Sequence, residues 1–83
     1  MDTQVGVVTH YFDKIGVAIV EVMNHALHVG DRVKLSDHDR EFEQDVTSLQ
    51  VEHEDVSKVA VGQSCGVKTE QAVKEGDIMY LLS

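Results

Sequence analysis

Proline is absent from this chain of 83 residues. Proline cannot donate to a β-ladder and is kept to edges, bulges and turns, so its absence fits a compact barrel whose turns are made by Gly and Asp. There is one cysteine, Cys65, which excludes an internal disulfide. No apolar run approaches the roughly 20 residues that span a bilayer, so a membrane partner is not expected. Met1-Asp2-Thr3-Gln4 offers neither a basic nor an apolar leader region, and the expected compartment is the cytoplasm. Cations are scarce: 7 basic side chains face 15 acidic ones, for a formal charge of −8. Phosphate neutralisation drives non-specific nucleic-acid binding, so non-specific DNA binding is excluded.

What is present points to strands. Apolar residues make up 42 %, enough for one core, and residues 1–83 are expected to form a single domain. The aliphatic content leans on Val, which is stiff at χ1 and packs well on a pleated surface.

Two segments dense in Val, Ile and aromatics, Val5 to Phe12 and Ile15 to Val22, lie close enough to form a hairpin, with Gly16 relaxing the backbone beyond Asp13-Lys14. The second segment is apolar on both faces as far as Glu21, which implies cover on one face and partial cover on the other. Met23 to Val29 reads as a loop. Arg32-Val33-Lys34-Leu35 alternates strictly and sets Val33 and Leu35 inward. Glu41 to His53 is the longest extended run, and Phe42 and Val46 differ in phase from Leu49 and Val51. A β-bulge at about Thr47-Ser48 would reconcile them. Glu54 to Val61 reads as a connection with room for a helical turn. Ser64 to Thr69 and Ile78 to Leu82 complete a count of about six strands. Three strands follow a Gly and a polar residue, Gly30-Asp31, Gly62-Gln63 and Gly76-Asp77, where Gly supplies positive φ and the next side chain bonds back to the turn.

Five stretches together carry a resemblance: Gly6-Val7-Val8, Leu27 to Leu35, Val46 to Val51, Val61 to Val67 and Glu75 to Ile78. In this order they resemble the barrel that follows the GTPase domain in elongation factor Tu and its relatives. Small stand-alone elongation-factor-like proteins, and the C-terminal barrel of collagenase-like peptidases, are the most similar forms. The resemblance implies an all-β fold, a small closed six-stranded antiparallel barrel of the translation-protein type. No Gly-rich phosphate loop is present, so GTP hydrolysis by this chain is excluded. Positions that grip the aminoacyl end of tRNA in elongation factor Tu fall at Gln50, Glu52 and Thr69-Glu70, where most of that chemistry is replaced. Gln50 remains as a polar contact.

Each chemical constellation has a bland competitor. His25 and His28, with Asp37 and Asp39, offer ligands for a metal, yet structural zinc rests on cysteines that the chain lacks, so no metal or other cofactor is expected. Cys65 alternates inward as a small hydrophobe. Asp37, Asp39, Glu41, Glu43, Asp45 and the Glu52 to Asp55 run resemble wet strand faces more than an acid/base pair, so the chain is expected not to be an enzyme. His10-Tyr11-Phe12 is the one aromatic cluster, and an outward ring there makes a docking or stacking platform.

The resulting expectation is a non-enzymatic binding module, with a protein or RNA partner contacted through His10, Tyr11, Phe12, Lys14, Gln50 and Lys68. The alternative is a small-ligand or metal-binding protein using the histidine loop. The core expected is Val7, Val17, Val33, Leu35, Phe42, Val46, Leu49, Val51, Cys65, Val67 and Ile78.

Overall fold

The computed structural model describes residues 3–37 and 39–82. Its strands are β1 (Thr3–Phe12), β2 (Val17–Val22), β3 (Leu27–His28), β4 (Arg32–Ser36), β5 (Glu41–Asp45), β6 (Leu49–Val51), β7 (Glu54–Val56), β8 (Lys58–Val59), β9 (Ser64–Lys68) and β10 (Ile78–Leu81). Eight of them form one antiparallel sheet in the order β5-β4-β10-β1-β2-β9-β6-β7, and β3 pairs with β8.

The curvature of the sheet follows from its connectivity. β5 and β6 are six strands apart in the sheet, roughly 29 Å if it lay flat. Only Val46 to Ser48 joins them, and the path from Asp45 to Leu49 reaches at most about 14 Å. The sheet must therefore curl into a half-barrel and wrap its inner face around the core. Among the described residues no ladder closes the gap. A side chain crosses it instead: buried Gln44 on β5 donates from Nε2 to the Lys68 carbonyl at 2.8 Å and accepts from the Glu70 N–H at 2.8 Å.

This corrects the closed six-stranded barrel. The run from Glu41 to His53 is not one bulged strand but β5, a break at Val46 to Ser48, and β6. The phase argument survives in altered form, because Val46 and Leu49 are both buried. The supposed connection after Glu54 contains β7 and β8 with no helix among the described residues, and the Met23 to Val29 loop contains β3, whose Leu27 is fully buried.

The core includes Val33, Leu35, Val46, Leu49, Cys65 and Val67 as expected, and Phe42 and Val51 pack against it half-buried. Val7, Val17 and Ile78 take the opposite phase, and Val5, Val8, Ala18, Val20, Val22 and Met79 fill the interior. Both faces of β1 and β2 are apolar, so alternation could not set their phase. The register of β1 also shifts twice, between Gln4 and Gly6 against β10 and between Val8 and His10 against β2.

The three Gly-polar turns recur with one geometry. Gly30, Gly62 and Gly76 have φ of 98, 95 and 94°. In each turn the residue after Gly donates its N–H back across the turn, from Asp31 to the His28 carbonyl, Gln63 to Ala60 and Asp77 to Lys74, at 3.1 to 3.2 Å. Its side chain then accepts from the N–H of that same residue at 2.9 to 3.1 Å. Each turn also clasps a buried valine through paired backbone bonds. Gly30 and Asp31 hold Val46, Gly62 and Gln63 hold Val22, and Gly76 and Asp77 hold Val8, with distances of 2.7 to 2.8 Å. One local solution thus pins β1, β2 and the break between β5 and β6.

Candidate functional site: an apolar groove on the outer face

The outer face of β2 carries Val17, Ile19 and Glu21, since Ala18, Val20 and Val22 point inward. Antiparallel register sets Val17 opposite Lys68, Ile19 opposite Gly66 and Glu21 opposite Ser64 on β9, and Gln50 of β6 opposite Gly66. On the other flank Phe12 lies opposite Val17 and His10 opposite Ile19. The β1–β2 turn adds Ile15, 62 % exposed, beside Phe12 at 45 %.

The missing side chain of Gly66 makes the floor of a groove. A Cβ there would lie 3.2 Å from Val17 Cγ1, 3.9 Å from Ile19 Cδ1 and 4.0 Å from Gln50 Cβ. The groove measures about 290 Å³ and is lined by Phe12, Ile15, Val17, Ile19, Gln50, Glu52, His53 and the Ser64 to Gly66 stretch. It continues past Gly66 toward Ser48 and Lys68. Gln50 donates from Nε2 to Asp55 Oδ1 at 3.1 Å, which orients the amide.

The structure gathers part of the expected site. Phe12 and Gln50 line the same groove, Lys68 borders its continuation, and His10 meets Phe12 edge-on at 4.5 Å between ring centroids. His10 also approaches Glu75, with Nδ1 to Oε1 at 3.3 Å. Tyr11 does not join them: it lies opposite Ala18 on the inner side and packs half-buried against the core. Lys14 is exposed in the hairpin turn and is absent from the groove lining. Ile15, Val17, Ile19, Gly66, Glu52 and His53 were missed, although the two-faced apolarity of β2 was a usable signal.

A larger groove of about 490 Å³ lies by Ser36, Asp37, Asp39 and Lys74 to Ile78. Two of its carboxylates hold turns. Asp37 Oδ1 accepts from the N–H groups of Asp39 at 2.7 Å and Arg40 at 2.9 Å, and these bonds lower its pKa below the ordinary value. Asp77 caps the Gly76 turn. In the histidine loop, His25 Nδ1 contacts the Ala26 carbonyl at 2.6 Å and His28 Nδ1 lies 3.7 Å from Asp31. Among the described residues no three His, Cys, Asp or Glu side chains converge to hold a metal. Nor is any helix there long and apolar enough to cross a membrane.

Cys65 lies beneath the groove with 3 % exposure, and burial pushes its pKa up to about 11. At about pH 8 a disulfide reagent should modify it roughly a hundredfold more slowly in the native protein than in the unfolded chain, because so little thiolate is present. Equal rates in both states would show that the thiol opens to solvent through the groove.

No family model matches the chain. Solved structures share its fold, two of them forms of one domain. The C-terminal domain of a Geobacillus thermoleovorans putative U32 peptidase superposes with a TM-score of 0.90 at 19 % identity, over 98 % of this chain and 93 % of that one. The selenomethionine variant of that domain gives 0.84 at 20 % identity, over 92 % and 95 %. An uncharacterized protease of Methanocaldococcus jannaschii is 35 % identical over 80 residues, which are 95 % of this chain. The chain spans 19 % of that relative's length. These likenesses support the peptidase-associated side of the expectation and leave the elongation-factor side to the sequence motifs.

Proposed function

We propose that this chain is a non-enzymatic binding module, translation-factor-like in its motifs and peptidase-associated in its setting, which docks on a protein or RNA partner through its outer-face groove. The observation that carries the reading is the outer-face cluster around Gly66, where Phe12 and Ile15 are exposed and Val17 and Ile19 are only half-buried. The carboxylates best placed for chemistry, Asp31, Asp37 and Asp77, are occupied with backbone N–H groups, which supports a structural role for them.

A photo-crosslinking residue in place of Ile15 should give adducts in cells that the same residue in place of Glu43, on β5, does not. Equal labelling from both positions would remove the groove as the docking face. Calorimetry with GTP and Mg²⁺ is expected to show no binding, and micromolar affinity would overturn the non-GTPase reading.

A further inference from the structure

The groove has a direction. At its Ser64 end stand Glu52 and, beside Ser64 in the ladder, Glu21; at its far end stands Lys68. Among the described residues the side-chain carboxylates of Glu52 and Glu21 have no hydrogen-bonding or ionic partner. The two-residue β6–β7 turn is made by Glu52 and His53 with φ of 52 and 67°, left-handed values that such turns normally give to Asn and Gly. Residues with a Cβ are strained there, because it crowds the following carbonyl oxygen. That strain sits at the rim of the groove, which both residues line.

We propose that the groove receives an extended polypeptide segment that seats one large apolar side chain over Gly66 and sets a Lys or Arg against Glu52. The proposal rests on the docking reading above and names the chemistry of the partner. Val17, Ile19 and the Gln50 stem supply apolar walls at 3.2 to 4.0 Å from where a Gly66 side chain would begin. Gln50 gives one of its two N–H groups to Asp55, which orients the amide, and its oxygen is left to accept a backbone N–H from the arriving chain. Charge selects a polypeptide over RNA: the rim carboxylate Glu52, the neighbouring Glu21 and the formal charge of −8 repel phosphate. The same charge opposes a second copy of this chain.

Selection of random peptides displayed on phage against the immobilised chain tests this. The enriched peptides should combine a large apolar residue with a nearby Lys or Arg. Their affinity should fall roughly tenfold for Gly66→Val, which fills the floor, and about threefold for Glu52→Gln, with a weaker salt dependence in the latter. If Gly66→Val unfolds, Ile15→Ser replaces it, since Ile15 is too exposed to hold the fold. Enriched peptides that are acidic, that lack an apolar anchor, or that ignore the substitutions in a folded protein would overturn the proposal. So would photo-adducts at Ile15 with RNA or with a second copy, and these would leave the docking reading standing. No enrichment together with no face-specific adduct would sink both.

Discussion

Replacing Gly6 by Ala should cost about 3 kcal/mol and lower the melting temperature by roughly 15 °C, a large fraction of what a domain of this size has to lose. Gly6 lies in β1 at the centre of the sheet, paired with Met79 of β10 on one side and Val22 of β2 on the other. A Cβ there clashes with the carbonyl oxygen of Glu21, and would lie 2.9 Å from Val20 Cγ1 and 3.1 Å from the Glu21 carbonyl carbon. The obstruction is mainly backbone, and relief requires β1 and β2 to part along their ladder. Two other glycines serve as controls. Gly66→Ala crowds Val17 Cγ1 at 3.2 Å and otherwise meets side chains at ordinary contact distance, with no backbone in the way, so it should cost much less than Gly6→Ala. Gly30→Ala meets nothing within 4 Å but must hold φ at 98°, at about 1 to 2 kcal/mol. Urea unfolding of the three variants decides the order, and a Gly6→Ala loss below that of Gly30→Ala would show that the strand pair yields easily.

The contrast between these glycines shows what could be read from the sequence. Gly30, Gly62 and Gly76 stand before polar residues at strand starts, and their turns form as that pattern implies, because turn chemistry is local. Gly6 and Gly66 act through neighbours that are distant in the chain, and no local signal separates them from a strand glycine of no consequence. The same division holds for strands. Arg32 to Leu35 alternates one-sidedly and took its expected phase, whereas β1 and β2 carry apolar residues on both faces and took the other. The second apolar face of β2 lines the groove, so the ambiguity that defeated the core assignment comes from the same residues that form its wall. Phe12 faces outward into the groove and Tyr11 packs inward, because adjacent rings on a strand must part and nothing local says which turns inward.

Gln44 concentrates the non-local part of the fold in one amide, and its replacement by Leu should cost about 2 to 4 kcal/mol. The side chain is 1 % exposed and stands in for a strand where the half-barrel has none, giving one hydrogen bond to the Lys68 carbonyl and taking one from the Glu70 N–H. Leu keeps most of the volume and leaves both backbone groups without a protein partner. Gln44→Glu separates the two bonds by pH. The ionised carboxylate introduced by this substitution still accepts from the Glu70 N–H but turns an oxygen toward the Lys68 carbonyl. Burial disfavours its charge, so its folded pKa lies above the unfolded value near 4.3. For a raised pKa the stability is fully present below the unfolded pKa and is lost as pH rises through the folded one. The Gln44→Glu protein should therefore approach the parent's stability below about pH 4, where the protonated acid can donate to Lys68, and fall progressively behind it toward neutrality. Stability differences between the two proteins, measured by urea unfolding at matched pH, read this directly. A gap that does not change with pH would mean that water enters the opening between β5 and β9 and already satisfies what Gln44 was thought to hold.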